Sequence, residues 1–162
     1  MTGATGSRIY SAVIVVLLLA IAAMVYKFIL AGSTEKAEDG RTAILLEPGE
    51  RALMLREMRA FVTGLQLMSD ALSRDDMKGV AKVAREMGTA RARDVDVPLA
   101  MLGKLPLGFK TLAFSVHGGF DTIAIDAETS GTPKHTLDQL SGVLQKCVAC
   151  HSSYQVKAAT AN

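Results

Sequence analysis

Residues 137–154 read LDQLSGVLQKCVACHSSY. Leu137, Leu140, Leu144, Cys147, His151 and Tyr154 fall 3, 4, 3, 4 and 3 apart, the period of one helix face. Thr132 and Pro133 just upstream mark its start, a side-chain oxygen to cap the first turn and then a ring preset to helical φ. Three earlier segments carry the same period. From Pro48 to Arg74, Met54, Met58, Phe61, Leu65, Met68 and Leu72 form one apolar stripe. From Asp75 or Asp76, both suited to capping, Met77, Val80, Ala84 and Met87 form a second, which Gly88 is placed to stop. From Pro106, Phe109, Ala113, Val116, Phe120 and Ile123 form a third. The looser stretch GTARARDVDVPLAMLGKLP separates the second from the third, and TSGTP the third from the fourth. No clean alternation and no Asn-Gly hairpin signals a strand. The pattern predicts an all-α four-helix bundle over residues 48–162.

Cys147 and Cys150 are the only cysteines in the chain. On a helix they lie on one face about a turn apart, and His151, four residues after Cys147, shares that face. Each part of C-x-x-C-H then has a task in covalent haem binding. Each thiol adds across one haem vinyl group to give a thioether, and the imidazole ligates the iron. The motif sits on the apolar stripe, where a mostly apolar porphyrin must go. The aromatic fraction is 5% and tryptophan is absent, so ordinary side chains would leave a core that such a ring fills. Three other readings compete. A disulfide between the pair is poorly placed on a helix. A thioredoxin-like redox pair needs a preceding strand. A zinc site needs a further ligand. One covalent haem c is the expectation, with His151 as a metal ligand.

Residues 1–31 carry a different signal. The 22 residues from Ile9 to Leu30 contain one charge, Lys27, near the far end. As a helix they span about 33 Å, the thickness of a bilayer core. Tyr10 and Tyr26 stand where interfacial aromatics belong. A cleaved signal peptide is the rival, since Ala20-Ile21-Ala22 fits a small-residue cleavage site. A retained single-pass anchor is the expectation. Arg8 before the span, against Glu35, Glu38 and Asp39 after it, weakly favours a cytoplasmic N-terminus. Bacterial covalent haem attachment takes place outside the cytoplasm, so the domain is expected in the periplasm, on the inner membrane. Residues 32–47 read as a solvated tether able to reach about 50 Å, with AILL at 43–46 docking on the domain. From Glu47 on, 14 basic residues face 13 acidic ones, and no basic cluster interleaves with aromatics, so nucleic acid is not indicated.

A helical bundle with C-x-x-C-H on its last helix resembles the cytochrome c-prime family, the class II c-type cytochromes, over roughly residues 48–157. The resemblance implies that the first helix faces the distal side of the iron, where REMRAFVTGLQLM, residues 56–68, presents Met58 as sixth ligand. Met54 is the alternative, as is no methionine at all, with His117 a lesser candidate. It also implies that Tyr154 belongs to the haem surroundings, as in a CHxxY pattern. Family members commonly carry Arg next; here Gln155 stands instead, leaving propionate pairing to Lys157 or to the first helix. His135 is expected to face solvent, and Asp75 and Asp76 to cap rather than to do acid–base work.

The expected function is one-electron transfer, not enzymatic catalysis, by a membrane-tethered cytochrome working with membrane redox complexes or other cytochromes. Two alternatives stand beside it: a five-coordinate haem module binding NO or CO, and a fixed haem subunit of a respiratory or photosynthetic complex. The resemblance also suggests a homodimer.

Overall fold

The computed structural model describes residues 3–159. The first helix, α1 (Gly3–Val25), runs on into a π-helical turn, Tyr26–Ala31. Together they contain a span, Arg8–Ala31, of mean hydropathy 2.8 and with no buried residue, long and apolar enough to cross a membrane. No polar face interrupts it, as in a membrane-spanning helix or a signal sequence. The turn ends at Gly32, where φ is +68° and ψ −159°, a conformation that residues with a side chain enter only under strain. Gly32 also passes so close to the backbone at 104–106 that an added Cβ would lie 2.3 Å from the carbonyl oxygen of Lys104.

Residues 32–47 are not the solvated tether expected from their polarity. They form a hairpin of β1 (Thr34–Lys36) and β2 (Thr42–Leu46), paired antiparallel. Gly40, at φ +88°, turns it, its N–H donating to Ala37 O at 3.1 Å. The last strand, β3 (Tyr154–Ala158), pairs parallel with β2 from Thr42↔Tyr154 to Leu46↔Ala158. The expectation of no strands is corrected too. The physical reason is burial: Ala43, Ile44 and Leu46 of AILL are fully buried. Removing two large aliphatic side chains from water contributes about 1.5–3 kcal/mol each, enough to fix a short polar segment around them. AILL does dock on the domain, as a strand.

The four helical segments appear close to where their periods place them. They are α2 (Pro48–Ser73), α3 (Met77–Met87), α6 (Leu107–Thr129) and α7 (Pro133–Ser153). A capping box starts α2: the Glu50 carboxylate accepts from Glu47 N at 2.8 Å. Asp76 caps α3 by accepting from Gly79 N at 2.9 Å, and Thr132 caps α7 by accepting from His135 N at 3.3 Å. The looser stretch holds two short helices, α4 (Thr89–Asp94) and α5 (Leu99–Lys104). The chain is therefore mostly helical. α3 packs on both α2 and α6, and α6 on α7, while α2 and α7 make no extensive contact.

Two cores result. The larger joins Met68 and Leu72 of α2, Val80, Ala84 and Met87 of α3, Phe120 and Ile123 of α6, and Leu140 and Val143 of α7. The smaller lies under the sheet: Ile44 and Leu46 of β2, Met101 and Leu105 of the α5 region, and Phe109 of α6.

Candidate functional site

α7 delivers the motif to the seam between these cores. Cys147 packs against the larger core and Cys150 against the smaller. Both are free, half-buried thiols. Burial pushes both pKa values up, Cys150 further through its neighbour Cys147, so each stays a neutral S–H at pH 7. His151 is exposed, and its ring makes no hydrogen bond among the described residues. It shares a face of α7 with Leu137, Leu144 and Val148, which are 53%, 39% and 66% exposed. Apolar surface is thus left uncovered on the outer side of α7, which carries His151, and on α2 at Val62.

α7 ends where Tyr154 turns extended, its N–H donating to Cys150 O. The Tyr154 ring is half-buried and meets Phe109 edge-on, with centroids 5.6 Å apart. Residue Arg41, which sequence reasoning missed, secures this end. Its guanidinium donates to His151 O at 3.2 Å, to Tyr154 O at 3.5 Å and to Gln155 Oε1 at 3.2 Å. A cation set on the last carbonyls of a helix offsets their partial negative charge. Asp39 orients Arg41 through Nε, 2.8 Å from Oδ2, and the bonds from Arg41 hold the Asp39 carboxyl below its ordinary range. An arginine therefore does stand beside position 155, brought by the hairpin. The only sequence cue was Asp39-Gly40, a strong hairpin dipeptide lying in a segment read as linker. Lys157, a candidate for propionate pairing alongside the first helix, is paired with Glu35 across the sheet at 2.7 Å.

No family model, curated protein or solved structure matches this chain.

Met58 is half-buried on α2 and belongs to neither core, whereas Met54 packs against the smaller one. His117 is engaged elsewhere: Nδ1 donates to Met87 O at 2.7 Å, and its ring lies 5.2 Å from that of Phe61. His135 is exposed, as expected, with Nε2 3.3 Å from Asp126 Oδ2. Among the described residues no three His, Cys, Asp or Glu side chains gather to hold a metal ion, so the zinc reading finds no further ligand. The donor set does fit a haem. Two unbridged thiols a turn apart, an unengaged imidazole beside them and bordering apolar side chains are what thioether attachment and one axial ligand require.

Proposed function

We propose that residues 33–159 form a c-type haem domain that carries single electrons at the periplasmic face of a bacterial inner membrane. In this reading α2, α3, α6 and α7 are the four helices of a class II bundle, and α1 is a retained anchor. The observation that carries it is the pair of free thiols seated one on each core, with an unengaged imidazole next to them.

Cys147 and Cys150 would hold the ring through two thioether links, and His151 would supply an imidazole nitrogen to the iron. When bound, haem supplies a one-electron iron couple. Met58, left out of both cores, is the residue of α2 that would supply a second ligand to the iron. A thioether ligand together with an imidazole would favour ferrous iron and raise the potential. Arg41 would hold the His151 end of α7 in place. Leu144 and Val148 would exclude water from the ring edge near His151.

The test is the visible spectrum and mass of protein made in cells competent for haem maturation. A red protein, heavier than its polypeptide by one haem, is expected, and Cys147→Ser with Cys150→Ser should abolish both properties. A colourless parent protein overturns the proposal. With haem present, a low-spin reduced spectrum unchanged by CO supports electron transfer, with Met58→Ala turning it high-spin. A parent spectrum that shifts with CO favours the gas-binding module. A complex surviving mild detergent favours the fixed subunit.

A further inference from the structure

Where the span meets the domain, three large apolar side chains stand uncovered: Leu99 at 83% exposed, Phe114 at 60% and Leu107 at 44%. Their direction follows from neighbours on the same helix faces. On α5, Gly103 lies against the Phe28 ring, so closely that an added Cβ would be 3.2 Å from it. Leu99 is four residues earlier and shares that face. On α6, Lys110 Nζ donates to Phe28 O at 3.2 Å. Leu107 is three residues before Lys110 and Phe114 four after, on its face. The uncovered side chains thus surround the end of the span.

Charge and covalent continuity point the same way. Lys27 donates to Gly32 O at 2.9 Å, and neither Lys27 nor Lys110 forms an ion pair among the described residues. Ser33 N donates to Lys104 O at 2.8 Å immediately after Gly32, so no free chain separates span from domain.

We propose that this end of the domain is a membrane-docking surface. Leu99, Leu107 and Phe114 enter the interfacial layer of the bilayer that the span crosses, while Lys27 and Lys110 reach lipid phosphates with their stems along the apolar zone. Lipid is the occupant because the span brings the bilayer to this face. The inference rests on the span being a retained anchor and is independent of the haem.

The chain has no tryptophan, so a single introduced one reports its own surroundings. Full-length protein carrying Leu18→Trp, Leu99→Trp, Leu107→Trp or Ile125→Trp is placed in phosphatidylcholine–phosphatidylglycerol vesicles. The acyl chains are either plain or brominated, and emission is compared between the two lipids for each variant. Leu18 lies within the span, and Ile125, 53% exposed, lies about 27 Å along α6 from Leu107. Leu18→Trp, Leu99→Trp and Leu107→Trp should lose most of their emission to bromine, and Ile125→Trp should keep it. Quenching at Leu18 without quenching at Leu99 and Leu107 overturns the docking surface alone. Absence of quenching at Leu18 overturns the anchor and the docking surface with it. Equal quenching at Ile125 overturns any specific face. Protection of Leu99→Trp that grows with protein density in the vesicle shows a second copy there instead of lipid, and likewise overturns the proposal.

Discussion

Arg41 spans two parts of the molecule that sequence order keeps apart: it is 110 residues from His151, whose carbonyl it holds. Besides Asp39, its acceptors are two backbone oxygens at the end of α7 and the amide oxygen of Gln155. Removing a charged donor from such acceptors costs about 1–2 kcal/mol once partial exposure is allowed for. Arg41→Ala is therefore expected to lower the unfolding free energy of the chain by that amount, and its urea midpoint with it. It should also speed amide hydrogen exchange in the last turn of α7 while leaving the first turn unchanged. An unchanged midpoint with unchanged exchange would count against these contacts. The motif was legible because cysteine and histidine carry their chemistry in their identity and their helical spacing. Arg41 was not, since nothing local marks which of many arginines will meet a helix end.

At the level of elements, α3 and α6 share more than apolar contact. Arg85 of α3 makes a bidentate pair with Glu128 of α6, through Nε and Nη2. The hydrogen bonds from Arg85 hold the Glu128 carboxyl below its ordinary value of 4.5. A carboxyl with a lowered folded pKa contributes stability above its unfolded value and loses it as pH falls through its folded one. Acidification below about 4.5 is thus expected to weaken the α3–α6 pairing. Glu128→Gln should make the urea midpoint less dependent on pH in that range, with equal slopes for variant and parent counting against the pair. The long helices were readable because stripes repeat over many turns and Asp76, Thr132 and Gly88 punctuate them. The strands were not. β1 has three residues and β2 five, too short for a period to register, and their pairing depends on β3, far along the chain. Leu137, Leu144 and His151 also fall on the predicted inward stripe of α7 yet stand exposed, because the face that packs on α6 is centred nearer Leu140 and Val143. A period gives the phase of a stripe, but the neighbouring helix decides how wide a sector it covers.

Taken whole, the molecule replaces an expected leash with a joint. Gly32 is that joint, and Gly32→Ala would place a methyl group against the Lys104 carbonyl in a region of backbone space that costs about 1–3 kcal/mol. A lower thermal midpoint of the full-length protein and faster proteolysis between span and β1 are the expected results; an unchanged midpoint would mean the joint tolerates a side chain. A domain held at such a joint cannot swing about 50 Å; if it carries electrons as proposed, its partners would have to come to it at the membrane surface. The parallel pairing of β2 with β3 has a consequence for manufacture. β2 leaves the ribosome long before β3, and the strand that clasps it follows directly behind the CVACH segment. If the domain is exported as proposed, the clasp would stand open while the chain is threaded across the bilayer, with the thiols borne on a helix not yet pinned at its end. Any apparatus that modifies them would meet an unlatched molecule, and latching would come as the closing act of its assembly.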